Sequence, residues 1–213
     1  MQKNKSTWVM FDVGGVILNW FDSSKNFAEK RNIPHEELLL RFHQQIDDLT
    51  LDTRMHTGKI DPQEAWTSIL KDYDVDVNIE QLIEEWCLPE YWYKETFELM
   101  DDLVSNGYSV GILSNSWFAF NKAERRKMFP SKLFSYGPVI DSSEIGMMKP
   151  DPSIYEYVED MLGVPAGEIA FVDDNQDNLR AAENRGWNVY YFDSRSGRQG
   201  ISDCIRLLRE QLL

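Results

Sequence analysis

Two apolar runs end on acid. Trp8-Val9-Met10-Phe11 leads into Asp12, and Ile169-Ala170-Phe171-Val172 leads into the pair Asp173-Asp174. Runs that are apolar throughout and bounded by turn residues fit strands buried on both faces of a parallel sheet, whose carboxyl ends are where α/β folds place their ligands. Three carboxylates gathered at one sheet edge repel one another unless a cation lies between them. All-oxygen donors suit Mg²⁺, a hard ion that keeps several waters and shares its shell with a substrate phosphate. An aspartate at a strand end also serves simply to start a turn or cap a helix, so each motif alone leaves both readings open.

Two further motifs narrow the choice. Ser109-Val110-Gly111-Ile112-Leu113 is a third buried-strand pattern and ends in Ser114-Asn115, a hydroxyl and an amide at the same edge. Met148-Lys149-Pro150 places a lysine before a proline that is expected to open a helix over 151–162. The order apolar-Asp, apolar-Ser-Asn, Lys-Pro, apolar-Asp-Asp is more specific than any member, and it resembles the haloacid dehalogenase superfamily from about Trp8 to Asp193.

That resemblance implies roles position by position. Asp12 is the family nucleophile, a carboxylate that attacks phosphorus and forms an aspartyl-phosphate. Ser114 binds a phosphoryl oxygen, with Asn115 shaping the phosphate pocket beside it. Lys149 holds the nucleophile and the phosphate together, a task for a compact, flexible charge. Asp174 is the metal-binding acid, Asp173 ligates Mg²⁺ directly or through water, and Asp12 with the backbone carbonyl of Gly14 completes the metal set. Asn178, where many relatives carry a second acid, orients the ligands or caps a helix.

Gly14 is also a departure from the family pattern. Most phosphatases of the superfamily carry there a second aspartate that protonates the leaving group and later activates water, and a glycine can do neither. The stretch Phe11-Asp12-Val13-Gly14-Gly15-Val16 resembles the branch of bacterial sugar-phosphate phosphatases and the phosphatase domain of soluble epoxide hydrolases. A structural reason stands beside the functional one, because a tight turn after a strand needs positive φ or close backbone approach. Asp22 and His56 are candidates for a substitute donor.

At 213 residues the chain fits one catalytic core plus a modest insertion. Residues 1–18 and 92–213 are read as the core and 19–91 as the insertion. The net charge of −14, 36 acids against 22 bases, argues against a nucleic-acid surface. Phosphate must then be received by local positive charge: Lys149, Mg²⁺ and the backbone amides after Asp12. The basic cluster Arg125-Arg126-Lys127 is read as a solvated helix face. The N-terminal stretch lacks a signal-peptide apolar region and no long apolar run follows, which points to a cytoplasmic protein without a membrane partner. Cys87 and Cys204, far apart in sequence, are expected as free thiols.

The 85 or so residues after the first motif are too many for a plain crossover. Their patterns are helical: a helix capped by Ser23 and running to Lys30, one over 34–49, one opened by Asp61-Pro62, and one over 79–87. By resemblance this is the helical cap that closes over the active site. A helix over 91–106 then returns to the core. After the fourth motif come a helix over 178–185 ended by Gly186, a strand over 187–192 and a terminal helix over 201–212. The fold class is α/β, a doubly wound parallel sheet with an inserted helical cap, and the resemblance implies strand order 3-2-1-4-5. Specificity is expected from the cap, where Arg54, His56 and Lys59 surround Gly58, with exposed loop residues as the plainer reading. Trp20, Phe21 and Trp117 line the pocket or pack in the core.

Three functions follow. The first is a Mg²⁺-dependent phosphomonoester hydrolase acting on a small phosphorylated metabolite, most plausibly a sugar phosphate. The second is 2-haloacid dehalogenation, which uses the same nucleophile without metal. The third is a catalytically degenerate binding protein, suggested by Gly14 and opposed by the retention of Asp12, Ser114, Lys149, Asp173 and Asp174.

Overall fold

Five strands form one parallel sheet: β1 (Trp8–Phe11), β4 (Ser109–Ser114), β5 (Val139–Asp141), β6 (Ile169–Asp173) and β7 (Asn188–Tyr191). Their order is β5-β4-β1-β6-β7, which numbered within this sheet is 3-2-1-4-5. The computed structural model describes residues 6–46, 49–76, 78–116 and 129–213. Trp117 and the cluster Arg125-Arg126-Lys127 lie outside the described residues.

Alternation along β1 decides what covers each face. Val9 and Phe11 join Val110, Ile112, Ala170 and Val172 in a core completed by α6 (Lys94–Ser105) and the terminal helix α11 (Gly197–Leu212). The single-turn helices α7 (Leu133–Tyr136) and α8 (Ser142–Ile145) bracket β5, and Met10 joins Leu113, Ile169 and Phe171 on the opposite face, under α9 (Pro152–Leu162) and α10 (Gln176–Asn184). Helices on both faces make the sheet doubly wound. Because β4 and β6 flank β1 in matching register, Phe11 lies beside both Ile112 and Val172. The residues just beyond therefore emerge together at the switch point, where the chain winds off in two directions.

Between β1 and β4 the chain builds α1 (Trp20–Lys30), α2 (His35–Phe42), a two-residue hairpin β2 (Gln45–Ile46) and β3 (Leu49–Thr50), α3 (Leu51–His56), α4 (Pro62–Leu70) and α5 (Ile79–Trp86). These elements own a separate apolar cluster centred on Phe27, Phe42, Trp66 and Trp86. Trp66 sits edge-on to Phe42 and to Trp86, with ring centroids 5.5 Å apart in each pair.

Several element boundaries differ from the sequence expectations. Helix α1 starts four residues earlier, because Asn19 is the cap in place of Ser23: its Oδ1 accepts from Asp22 N while its Nδ2 donates to Asp22 Oδ2. Ser23 instead turns its hydroxyl back to Trp20 O. The helix expected over 34–49 stops at Phe42, where the hairpin begins. The returning helix starts at Lys94 after a 3₁₀ turn over Pro89–Tyr91. Asp151 caps α9 and Pro152, rather than Pro150, opens it. Among the described residues no helix is long and apolar enough to cross a membrane.

Candidate active site

Asp12 stays tied to the sheet, its N–H donating to Val172 O at 2.9 Å, while its carboxylate turns out at the edge. Lys149 meets it from the loop before α9. The ammonium donates to Asp12 Oδ1 at 2.9 Å, Asp173 Oδ2 at 2.7 Å and Leu113 O at 2.9 Å. Three protons thus find three acceptors, and the side chain is only 1% exposed. Burial opposes the charge on Lys149, but the two carboxylates outweigh it and hold the ammonium above its ordinary range.

The paired acids divide their work. Asp173 is fully buried, and besides Lys149 its oxygens accept from Asn175 N and from Asn178 Nδ2. Asp174 is half-buried and faces open space, with Oδ2 held by Ser194 Oγ at 2.9 Å. One oxygen from each of Asp12, Asp173 and Asp174 lies within 4.8 Å of the others, a spacing and donor chemistry that fit a hard divalent cation. The electrostatics agree. Burial, then the neighbouring acids, push Asp12 up to about 7 against the pull of Lys149. Burial and Asp173 likewise push Asp174 up to about 6. One lysine does not balance three acids.

The two glycines differ in kind. Gly15 has φ +79°, and a Cβ there would stand 2.0 Å from Asp174 Oδ2, so the turn lets backbone approach the acid. At Gly14 a Cβ would meet Trp20 Cδ1 at 3.3 Å, so the indole crowds that side of the turn.

Other expected site residues separate into those the fold brings in and those it does not. Ser114 lines the cavity beside Asp12. Asn115 lines the same cavity, and its amide donates to Lys149 O at 2.8 Å and accepts from Lys149 N at 2.9 Å. It braces the lysine loop, because an amide can satisfy both backbone groups of one residue at once. Asn178 is not a cap; Asn175 is, and Asn178 is buried against Asp173. His56 closes α3 and is buried, where a loop reading put it on the surface, and burial brings its imidazole down to about 4. The reason is docking. Ser142 Oγ donates to His56 O and accepts from Ser116 N, and a Cβ on Gly58 would stand 2.5 Å from Ser143 O. Arg54 is half-buried on α3, whereas Lys59 is exposed. Asp22 is exposed in its pairing with Asn19 and does not line the cavity around Asp12, so the geometry gives no support to it as a proton donor there.

A cavity of about 600 Å³ joins the sheet edge to the inserted helices, which contribute His43, Asp52, His56 and Trp86. Trp20 lines it, while Phe21 is 50% exposed and does not. His43, Asp52 and Ser194 belong to no motif, and only tertiary contacts reveal them.

Known proteins resemble this chain in sequence and fold. Phosphatase MT3486 of Mycobacterium tuberculosis is 26% identical over 91% of this chain and 90% of its own length. (S)-2-haloacid dehalogenase 4A of Burkholderia cepacia is 32% identical over 90% of this chain and 83% of its own. The fold matches that of the HAD family enzyme BT-2542 of Bacteroides thetaiotaomicron, solved with magnesium and inorganic phosphate, with TM-score 0.65, 23% identity and coverage of 89% and 96%. Residues 7–186, from the entry into β1 to the glycine behind α10, match the profile of the haloacid dehalogenase-like hydrolases. The chain belongs to that family.

Proposed function

We propose that the chain is a Mg²⁺-dependent phosphomonoester hydrolase acting on a small phosphorylated metabolite, with Asp12 as nucleophile. The supporting observation is the surplus of carboxylate around a fully committed lysine: Asp12 and Asp174 face the cavity, Asp173 is sealed behind Lys149 and Asn178, and one oxygen of each lies within 4.8 Å of the others. Asp12, Asp174 and the Gly14 carbonyl would hold Mg²⁺, with Asp173 behind them. The ion would supply positive charge for the phosphoryl oxygens.

This chain's residues do the rest. Lys149 fixes Asp12 through Oδ1 and pulls its carboxyl toward the ionised form against burial and the neighbouring acids. The carboxylate attacks phosphorus while the ester P–O bond breaks, and the leaving oxygen departs with the bonding pair. Position 14 has no acid, so its proton comes from water or from the substrate. Water then attacks phosphorus of the aspartyl-phosphate, releasing inorganic phosphate and restoring the Asp12 carboxylate. Ser114, on the adjacent strand end, donates to a phosphoryl oxygen.

The dehalogenase relative favours a second reading, in which Asp12 displaces halide from carbon. Against it stand the two further acids beside Asp12, which repel the carboxylate of a 2-haloacid. Phosphate and halide release decide between them. The wild type should release phosphate from monoesters with Mg²⁺ and none in excess chelator, and Asp12→Asn should lower the rate by more than about 10³-fold. Chloride release from 2-chloropropionate in chelator, without phosphate release, would install the second reading.

A further inference from the structure

Asp52 lies in the first turn of α3 and lines the cavity that contains Asp12. Its side chain is 19% exposed, and Oδ2 is 3.3 Å from His43 Nδ1. The other oxygen, Oδ1, is buried and has no hydrogen-bond partner among the described residues. A carboxylate only accepts, so the missing partner is a donor. The lysine of the cavity does not supply it, since Lys149 is fully engaged by Asp12, Asp173 and Leu113. A cavity of about 600 Å³ is in the range that encloses a small ligand.

We propose that Asp52 accepts a hydrogen bond from a hydroxyl group of the leaving alcohol, which makes the substrate the phosphate ester of a sugar or polyol. This rests on the phosphomonoesterase reading, with phosphorus at Asp12 and the alcohol extending toward the inserted helices. Hydroxyls suit the wall better than an ammonium does. They donate and accept, and the His43 imidazole beside Asp52 offers the complementary second partner, whereas an ammonium only donates. Trp20 adds an aromatic surface for the C–H faces of a sugar ring.

The test compares a hexose 6-phosphate with cyclohexylmethyl phosphate, which has a similar ring, a primary alkyl leaving group and no hydroxyl. The missing acid at position 14 weighs equally on both. With Mg²⁺ present, the wild type should show kcat/KM about 10- to 100-fold higher on the hexose phosphate, and Asp52→Ala, which has no side-chain acceptor, should collapse that ratio toward one. Thermal unfolding of the Ala variant checks that it is folded, and Asp52→Leu gives a second loss of the acceptor at closer to the original volume. Equal rates in the wild type, or a ratio that survives in both variants, would overturn the proposal while leaving the phosphatase reading intact. So would phosphoethanolamine outrunning the hexose phosphate. Hydrolysis of none of these esters by the wild type would overturn the parent reading and this one with it.

Discussion

Among single residues, the decisive feature is that three neighbouring carboxylates, two of them buried and paired with Lys149, face a single ammonium. Asp12 and Asp174 are pushed up to about 7 and about 6, first by burial. A folded-state value above the unfolded one means that the native state binds the proton more tightly, so stability is lost as pH rises from about 4 through about 7. Asp12→Asn removes that penalty. In chelator, the variant should match the wild type near pH 4 and exceed it above about pH 7, by on the order of 1–3 kcal/mol. Mg²⁺ should narrow the gap. A variant less stable than the wild type at high pH would show that the Lys149 contact outweighs the repulsion. The paired acids should respond differently to removal. Asp174→Ala keeps the fold and raises the Mg²⁺ required for half activity. Asp173→Ala strips Lys149 and Asn178 of their shared partner and should destabilise by about 3 kcal/mol, read by denaturant unfolding.

In the elements, the turn after β1 joins backbone shape to chemistry. Gly15→Ala would place a methyl on Asp174 Oδ2 at a positive φ, so it should disturb metal binding and lower stability together. Equal metal affinity in the Ala variant, measured by calorimetry, would contradict that close approach. The three central strands were legible because Trp8–Phe11, Ser109–Leu113 and Ile169–Val172 are apolar throughout, and Asp12, Ser114 and Asp173-Asp174 came with them as the residues at their ends; the edge strand Val139–Asp141, three residues long, carries no such pattern and was not legible. The insertion was legible as helical but not in its breaks. A hairpin of two-residue strands carries no periodicity, and the apolar spacing Leu38, Leu39, Phe42, Ile46 runs past the true helix end. Asn19 and Ser23 are both good caps by type, and only the reciprocal bond with Asp22 selects Asn19. Asn115 was visible as a motif residue, yet its commitment to Lys149 depends on a loop 34 residues away. Asp52 and His43 face each other across the hairpin, a contact that no sequence pattern signals.

Across the whole molecule, a chain of net charge −14 gathers anions at a site that must receive another anion. Two apolar cores on the faces of the sheet and a third within the insertion hold that site in a cavity between sheet edge and inserted helices. The central claim is that Asp12 takes the phosphoryl group onto itself. The direct measurement is rapid acid quenching during turnover of a phosphoryl-labelled ester with Mg²⁺, followed by peptide mass analysis. The expected result is label on the peptide carrying Asp12 in the wild type and none in Asp12→Asn. Label on another residue, or turnover of the ester with label on no residue at any quench time, would contradict the account.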